Sequence, residues 1–269
     1  MSAPLRRGRR LAVTLALAGA LALPSAAEAQ GARDGEARPA GLLLDGLASA
    51  GPLGLAAGGR WERVFADEFD GTRLDTSRWE PYDGPGHAGN GLRRQSAFSV
   101  ADGRLRVTAR MVDGVLVSGG MATRLAFTYG RVEFRVRTDP DRSGVTSGVV
   151  LTWPANENWP ADGEIDVYET GRDRDRRPLH SYVHFGARDS RYWQVHDADG
   201  TRWHTMALEW SPHELRVFRD GVLAWALDDP AAIPRVPHRL CIQLDAFAPS
   251  MTGAVTMEVD HVRVFRRIG

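Results

Sequence analysis

The stretch Trp153-Pro154-Ala155-Asn156-Glu157-Asn158-Trp159-Pro160-Ala161-Asp162-Gly163-Glu164-Ile165-Asp166-Val167-Tyr168-Glu169 combines an alternating pattern with a concentration of negative charge. From Glu164 to Val167, acidic and apolar side chains alternate. Side chains two apart in a strand share a face, so Glu164 and Asp166 point together while Ile165 and Val167 turn toward a core. The same period recurs outward in both directions. Residues 104–108 and 131–137 alternate upstream. Downstream, residues 215–218 lead into Arg219-Asp220-Gly221, a hairpin turn signal, and then into residues 222–225. Leu240, Ile242 and Leu244 alternate with Cys241, Gln243 and Asp245, and Val255, Met257 and Val259 with Thr256, Glu258 and Asp260. Long amphipathic helical periodicity is missing. Short strands separated by Gly, Pro and Asp predict an all-β chain of two packed sheets, one domain over residues 61–269.

Four acidic residues fall at positions 162, 164, 166 and 169 of this strand and its approach. Crowded like charges disfavour ionisation, so some of these carboxyls are expected to hold protons at raised pKa. A merely solvated strand face mixes its signs, as residues 131–137 do, and acid/base chemistry is the better reading. Glu169 has the wrong parity for a flat strand. One β-bulge at Val167 or Tyr168 returns it to the face of Glu164, with Asp166 between them. Two carboxyls ~5–5.5 Å apart are what a retaining glycosidase uses, one to attack the anomeric carbon and one to protonate the leaving oxygen. The rival is a cation site. Three carboxylates are suitable calcium ligands, but ligands along one strand do not wrap an ion, and no carbonyl-rich loop follows. Zinc lacks its usual His and Cys spacing.

Composition narrows the function further. Residues 1–29 read as a secretory signal peptide: arginines at 6, 7, 9 and 10, an apolar run from Leu11 to Leu23, then Ala27-Glu28-Ala29 before a cleavage point at Gln30. The apolar run is short for a membrane span, which needs ~20 residues. A secreted mature protein with no membrane association is expected. Residues 30–60, rich in Gly and Ala, read as a linker or N-terminal extension. Cys241 is the only cysteine, which excludes an internal disulfide. Every basic residue is arginine, which excludes a Schiff-base lysine and the phosphate-binding lysine of a P-loop. Removing the leader takes away four arginines and one glutamate and leaves a nearly neutral chain, with no electrostatic footprint for nucleic acid.

The motif Glu164-Ile165-Asp166-Val167-Tyr168-Glu169 resembles the E-x-D-x-x-E signature of glycoside hydrolase family 16, in its longer, bulged form. Trp159-Pro160-x-x-Gly163 is similar to the laminarinase-like approach to that motif. Further blocks lie in the family's order: Phe65-Ala66-Asp67-Glu68-Phe69-Asp70-Gly71, Phe127-Thr128-Tyr129-Gly130-Arg131, Trp203-His204-Thr205, and Val259-Asp260-His261-Val262. The resemblance implies a β-jelly-roll sandwich with an open polysaccharide cleft on its concave sheet. It implies Glu164 as nucleophile, Glu169 as general acid/base and Asp166 as the residue that holds and tunes the nucleophile, with no cofactor for catalysis. His184 corresponds to a cleft histidine, and Asn90 lies in a segment resembling one that touches substrate, although Arg93 and Arg94 follow where laminarinases often show Glu and Gln. The resemblance also implies a structural Ca2+ at Glu68, the Gly103 carbonyl and Asp260.

Trp159 and Trp153 are expected to stack on sugar rings, and Gln243 to lie on a polar cleft face. Residues 172–177 read as a solvated loop. The leading expectation is a monomeric endo-glycosidase acting on a β-1,3- or β-1,3/1,4-glucan. A related galactanase or transglycosylase is an alternative. So is a non-catalytic carbohydrate-binding jelly roll, since architecture does not fix function. The intact carboxylate set favours an enzyme.

Overall fold

The computed structural model describes residues 60–268, and the leader and almost all of the linker expected at residues 1–60 lie outside them. Among the described residues the strands are, in chain order, β1 (Arg60–Asp67), β2 (Trp79–Pro81), β3 (Gly84–Pro85), β4 (Leu92–Arg93), β5 (Phe98–Ala101) and β6 (Arg104–Val112). They continue with β7 (Val115–Ser118), β8 (Gly120–Phe127), β9 (Gly130–Thr138), β10 (Thr146–Pro154), β11 (Glu164–Glu169) and β12 (Leu179–Phe185). The last are β13 (Ser190–His196), β14 (His204–Trp210), β15 (Leu215–Arg219), β16 (Val222–Leu227), β17 (His238–Ala246) and β18 (Ala254–Ile268).

They form two sheets. One runs β13-β12-β11-β10-β17-β8-β2, and the other runs β16-β15-β14-β9-β18-β6-β7-β4-β3, with β1 on β18 and β5 on β6. Pairing is antiparallel except where Leu92 and Arg93 lie parallel to Val117 and Ser118. These are the two packed sheets expected from the alternation, in the jelly-roll arrangement that the resemblance implied.

The period of two decides which side chains fill the space between the sheets. Leu240, Ile242 and Leu244 of β17, Ile165 and Val167 of β11, and Val255, Met257 and Val259 of β18 are all buried in one core. The residues alternating with them on β17, β10 and β11 face outward from the smaller sheet. There Ala122, Val149, Leu151 and Cys241 make a second apolar cluster, flanked by Tyr82 and Trp153. That cluster is the floor of the cleft.

The outer face of the larger sheet is charged, and more buried than the solvated face expected for residues 131–137. Arg131 and Glu133 are only 7% and 9% exposed. Arg131 donates to Glu209 at 2.8 Å and to Glu133 at 3.2 Å, and Arg263 reaches both Glu133 and Glu68. Alternating sign across neighbouring strands turns a row of charges into a ladder of ion pairs.

The loop after β11 corrects another expectation. Residues 172–175 and 177 are exposed, but Arg176 is fully buried. Its Nη1 donates to the Thr146 carbonyl at 2.6 Å, its Nη2 to Thr146 Oγ1 at 2.7 Å and its Nε to the Asp139 carbonyl at 2.8 Å. Asp141 Oδ2 lies 4.0 Å away. A planar fork of fixed donors suits this array of acceptors. Arg176 thereby ties the loop leaving β11 to the segment entering β10, on either side of the carboxylate face. Replacing it with Met removes one member of a buried ionic pair and leaves several acceptors bare, a loss of about 3–5 kcal/mol. Urea unfolding of Arg176→Met is expected to show that loss, and a midpoint equal to wild type would mean the guanidinium contributes nothing net.

Candidate active site

Strand β11 lies between β10 and β12, and its two ladders slip at the same place. On β10, Leu151 faces Asp166 while Val150 faces Tyr168, so Val167 has no partner. On β12, Tyr182 faces Asp166 and His180 faces Glu169. Three positions of β11 therefore span two of β12. This is the bulge expected from the parity of Glu169, located at Val167. Both Val167 and Tyr168 turn inward, and Glu164, Asp166 and Glu169 share the outer face.

A bulge leaves ladder groups to be satisfied elsewhere. Ser181 Oγ, buried, donates to the Val167 carbonyl at 2.8 Å. Its oxygen also lies 2.9 Å from Nε2 of buried His196. Since the hydroxyl proton is already given to Val167, the imidazole donates through Nε2–H. Burial pushes the His196 pKa down to about 4, keeping the ring neutral. The Tyr168 hydroxyl lies 2.9 Å from Thr138 Oγ1, joining the bulge to the opposite sheet.

The turn into β11 is equally specified. Gly163 has φ +84°, and a Cβ there would stand 2.7 Å from Pro234 Cγ. Glycine is required on both counts. His238 Nε2 donates to the Asp162 carbonyl at 3.1 Å, and its Nδ1 lies 2.9 Å from Thr152 Oγ1. The Asp162 carboxylate accepts from Asn156 at 2.7 Å and Asn158 at 3.0 Å, which lower its pKa. Asp162 is thus a loop organiser, set apart from the other three acids. The same loop stacks Trp153 and Trp159, ring centroids 5.8 Å apart and planes 12° apart, and puts Trp159 6.3 Å from the His184 ring.

His184 stands opposite Glu164 across the ladder. Its Nδ1 lies 2.6 Å from Asp189 Oδ1, and its Nε2 is 3.6 Å from Asp166 Oδ2. Ser147 Oγ donates to Glu169 Oε1 at 3.4 Å. Burial is the main cause that raises all three carboxyls. It lifts Glu164 to about 8, reinforced by Glu169 and opposed by the N–H of Trp159. Asp166 is held well above the carboxylate range by burial and by Glu164 and Glu169. Glu169 rises to about 7 through burial and Asp245, with Ser147 and Arg191 opposing. Trp159 Nε1 is buried without a complete hydrogen bond. Its N–H nevertheless lies near enough to Glu164 to favour the charged form. The cluster is proton-sharing: three like groups on one largely buried face do not ionise together.

Gln243 lies on the same face, opposite Val149 and Gly120, as the alternation of β17 required. Asn90 is used within its own loop, donating to the His87 carbonyl at 3.2 Å. The site also includes residues to which the sequence gave no role in the cleft. Arg93 pairs with Asp245 at 2.5 Å and lies 5.5 Å over the Tyr82 ring, and the His87 ring packs 4.5 Å from Phe247. Asp245 sat in the β17 alternation, and only its cross-strand partner marks it as part of a charged cleft.

Two cation readings meet this geometry differently. Glu164, Asp166 and His184 offer three ligand atoms within 4.8 Å, because β12 supplies the third ligand that a single strand lacks. Any cation there competes with the protons the cluster retains. The calcium set implied by resemblance does not fit. Both oxygens of Glu68 accept from Arg263 at 2.8 Å, while Asp260 lies against Arg135 at 3.2 Å and His261 at 3.3 Å. Permanently charged guanidinium groups already neutralise these acids and would repel a dication.

Comparison with known proteins agrees with the fold. The family model for glycosyl hydrolases family 16 matches residues 90–260. The chain is 32% identical over 213 residues to a beta-glucanase of Rhodothermus marinus, covering 64% of this chain and 69% of that protein. It is 27% identical over 270 residues to glucan endo-1,3-beta-glucosidase A1 of Niallia circulans, covering 76% of this chain but only 37% of that longer protein. The solved laminarinase of Rhodothermus marinus superposes with TM-score 0.68 at 27% identity, covering 78% of this chain and 99% of its own.

The raised pKa of Glu164 has a consequence for stability. An acid whose pKa rises on folding binds more protons folded than unfolded between the two values. Its contribution therefore falls as pH rises from about 4.5 toward about 8. Glu164→Gln removes that ionisation and is expected to be more stable than wild type near pH 8, with the difference vanishing near pH 4. At roughly 2–4 °C per kcal/mol for a domain of this size, thermal melts at the two pH values resolve it. Equal midpoints near pH 8 would mean that the carboxyl is solvated.

Proposed function

This chain belongs to the glycosyl hydrolases of family 16, and from that premise we propose that it is a retaining endo-glycosidase that cuts internal β-1,3- or β-1,3/1,4-linkages of a glucan. The single observation that carries the mechanism is the bulge at Val167, which puts Glu164, Asp166 and Glu169 on one face above an apolar floor. Glu164 attacks the anomeric carbon in its ionised form, with the protons that the cluster retains on Asp166 and Glu169, and forms the glycosyl-enzyme bond as the leaving oxygen departs. Glu169 gives its proton to that oxygen, then takes one from the water that releases the sugar. A carboxyl held near neutrality suits both halves of that exchange.

Asp166 has a supporting part. Held protonated by burial and its neighbours, it donates a hydrogen bond to Glu164. That bond orients the nucleophile and stabilises its charge without adding a third anion. His184, aligned by Asp189, closes the β12 side of the pair. The stacked Trp153 and Trp159 offer a flat apolar surface to a sugar face, and Gln243 offers an amide from the floor. The glucan preference is supported by the names of the relatives, and export by the leader-like pattern of residues 1–29.

Reducing-end release from laminarin, lichenan, xyloglucan, agarose and carrageenan tests the activity. Release from a glucan is expected, with a loss of about 10³-fold or more in Glu164→Gln, equivalent to ~4 kcal/mol of transition-state stabilisation. Proton NMR of the first product should show the β-anomer, and initial α-anomer would replace the double displacement with inversion.

A further inference from the structure

Strand β13 forms the edge of the carboxylate sheet, and among the described residues nothing covers its concave face. Register fixes which residues that face carries. Trp193 stands opposite Tyr182, which stands opposite Asp166; Arg191 stands opposite His184, which stands opposite Glu164; Val195 stands opposite His180, which stands opposite Glu169. Each catalytic carboxyl thus begins a row across the sheet that ends on β13. The middle row ends on an indole that is 57% exposed, beside Val195 at 45%. Large apolar side chains left open together mark an interaction surface. The alternating residues Tyr192, Gln194 and His196 point to the other side, where His196 holds the bulge.

We propose that Trp193, with Arg191 beside it, is a sugar-binding platform at the β13 margin of the cleft, occupied by the same glycan chain one or two units beyond the bond being cut. The proposal rests on the glycosidase reading above. Neighbouring strands lie ~4.8 Å apart, so β13 is about 10 Å from β11. A glycan crossing the strands over Asp166 meets Tyr182 and then Trp193. The indole presents a broad apolar surface to the face of a pyranose. Arg191 is exposed on the same face, where its charge already lowers the pKa of Glu169, and its fork of donors is open to ring hydroxyls. Continuity with the carboxylate face favours the substrate chain over another occupant. A second copy of the protein, pairing along the same edge strand, is the competing possibility.

The test uses the mature protein with laminarin, comparing wild type, Trp193→Ala and Trp193→Phe. Trp193→Ala is expected to raise KM about fivefold (about 1 kcal/mol at 1.4 kcal/mol per decade) with a smaller change in kcat. Trp193→Phe, which keeps a flat ring, should recover most of that loss. Laminarin should perturb tryptophan fluorescence more in Glu164→Gln than in Glu164→Gln/Trp193→Ala. A KM insensitive to Trp193→Ala, in an enzyme that turns over normally, overturns the platform alone. Sedimentation showing a wild-type dimer that Trp193→Ala dissolves overturns it in favour of the edge-strand interface. A folded wild type that releases nothing from any polysaccharide removes the glycosidase reading itself.

Discussion

Three carboxyl groups on one strand face, two of them on either side of a bulge, constitute the constraint around which the rest of this structure is arranged. A regular strand would turn Glu169 into the core, where a carboxylate without a partner is prohibitive. The extra residue at Val167 turns it back, at the cost of a broken ladder and a carbonyl with no strand partner. Ser181 and His196 supply that partner from β12 and β13. The carboxylate face and the interior network behind it are therefore two sides of one irregularity.

The two sheets treat charge in opposite ways, and the contrast is functional. On the larger sheet, acids and arginines alternate across strands, and acids such as Glu133 and Glu68 are held below the carboxylate range by Arg131, Arg263 and His261. On the cleft face, among the described residues, no guanidinium pairs with the three acids, and burial raises all of them. Paired charges hold a surface in register. Unpaired, desolvated ones retain protons at neutral pH, a state that suits a general acid. Arg93 keeps this separation by engaging Asp245, the acid on the cleft floor nearest in kind to the cluster.

The loops on both sides of β11 are pinned by buried polar groups. His238 and the Asn156, Asn158 and Asp162 set hold the approach, and Arg176 holds the exit. An exposed loop would leave Glu164 and Glu169 free to drift relative to each other, and small misplacements of reacting groups are expensive in rate. Rigidity at the ends of the strand complements the rigidity of the bulge at its centre.

The period of two in residues 164–167, 240–245 and 255–259 determined the sheet faces, and the parity of Glu169 determined that a bulge must exist. Both are properties of neighbours in the chain, so the sequence carries them directly. The short apolar and polar alternation likewise made an all-β chain of two packed sheets legible, and the resemblance of its motifs added the jelly roll. What lay beyond reach depended on which strand stands beside which. Arg176 looked like one more charge in a mixed run until the carbonyls of residues 139 and 146 surrounded it. Asp162 counted among the acids until two asparagines claimed it, and Glu68 and Asp260 suggested calcium until arginines occupied them. Trp193 gave no signal, because its exposure follows from β13 being an edge and its direction from a register set two strands away. Sequence records what a residue is and which face it takes; only the packed sheets decide what that face meets, because cross-strand partners are set by tertiary register and not by distance along the chain.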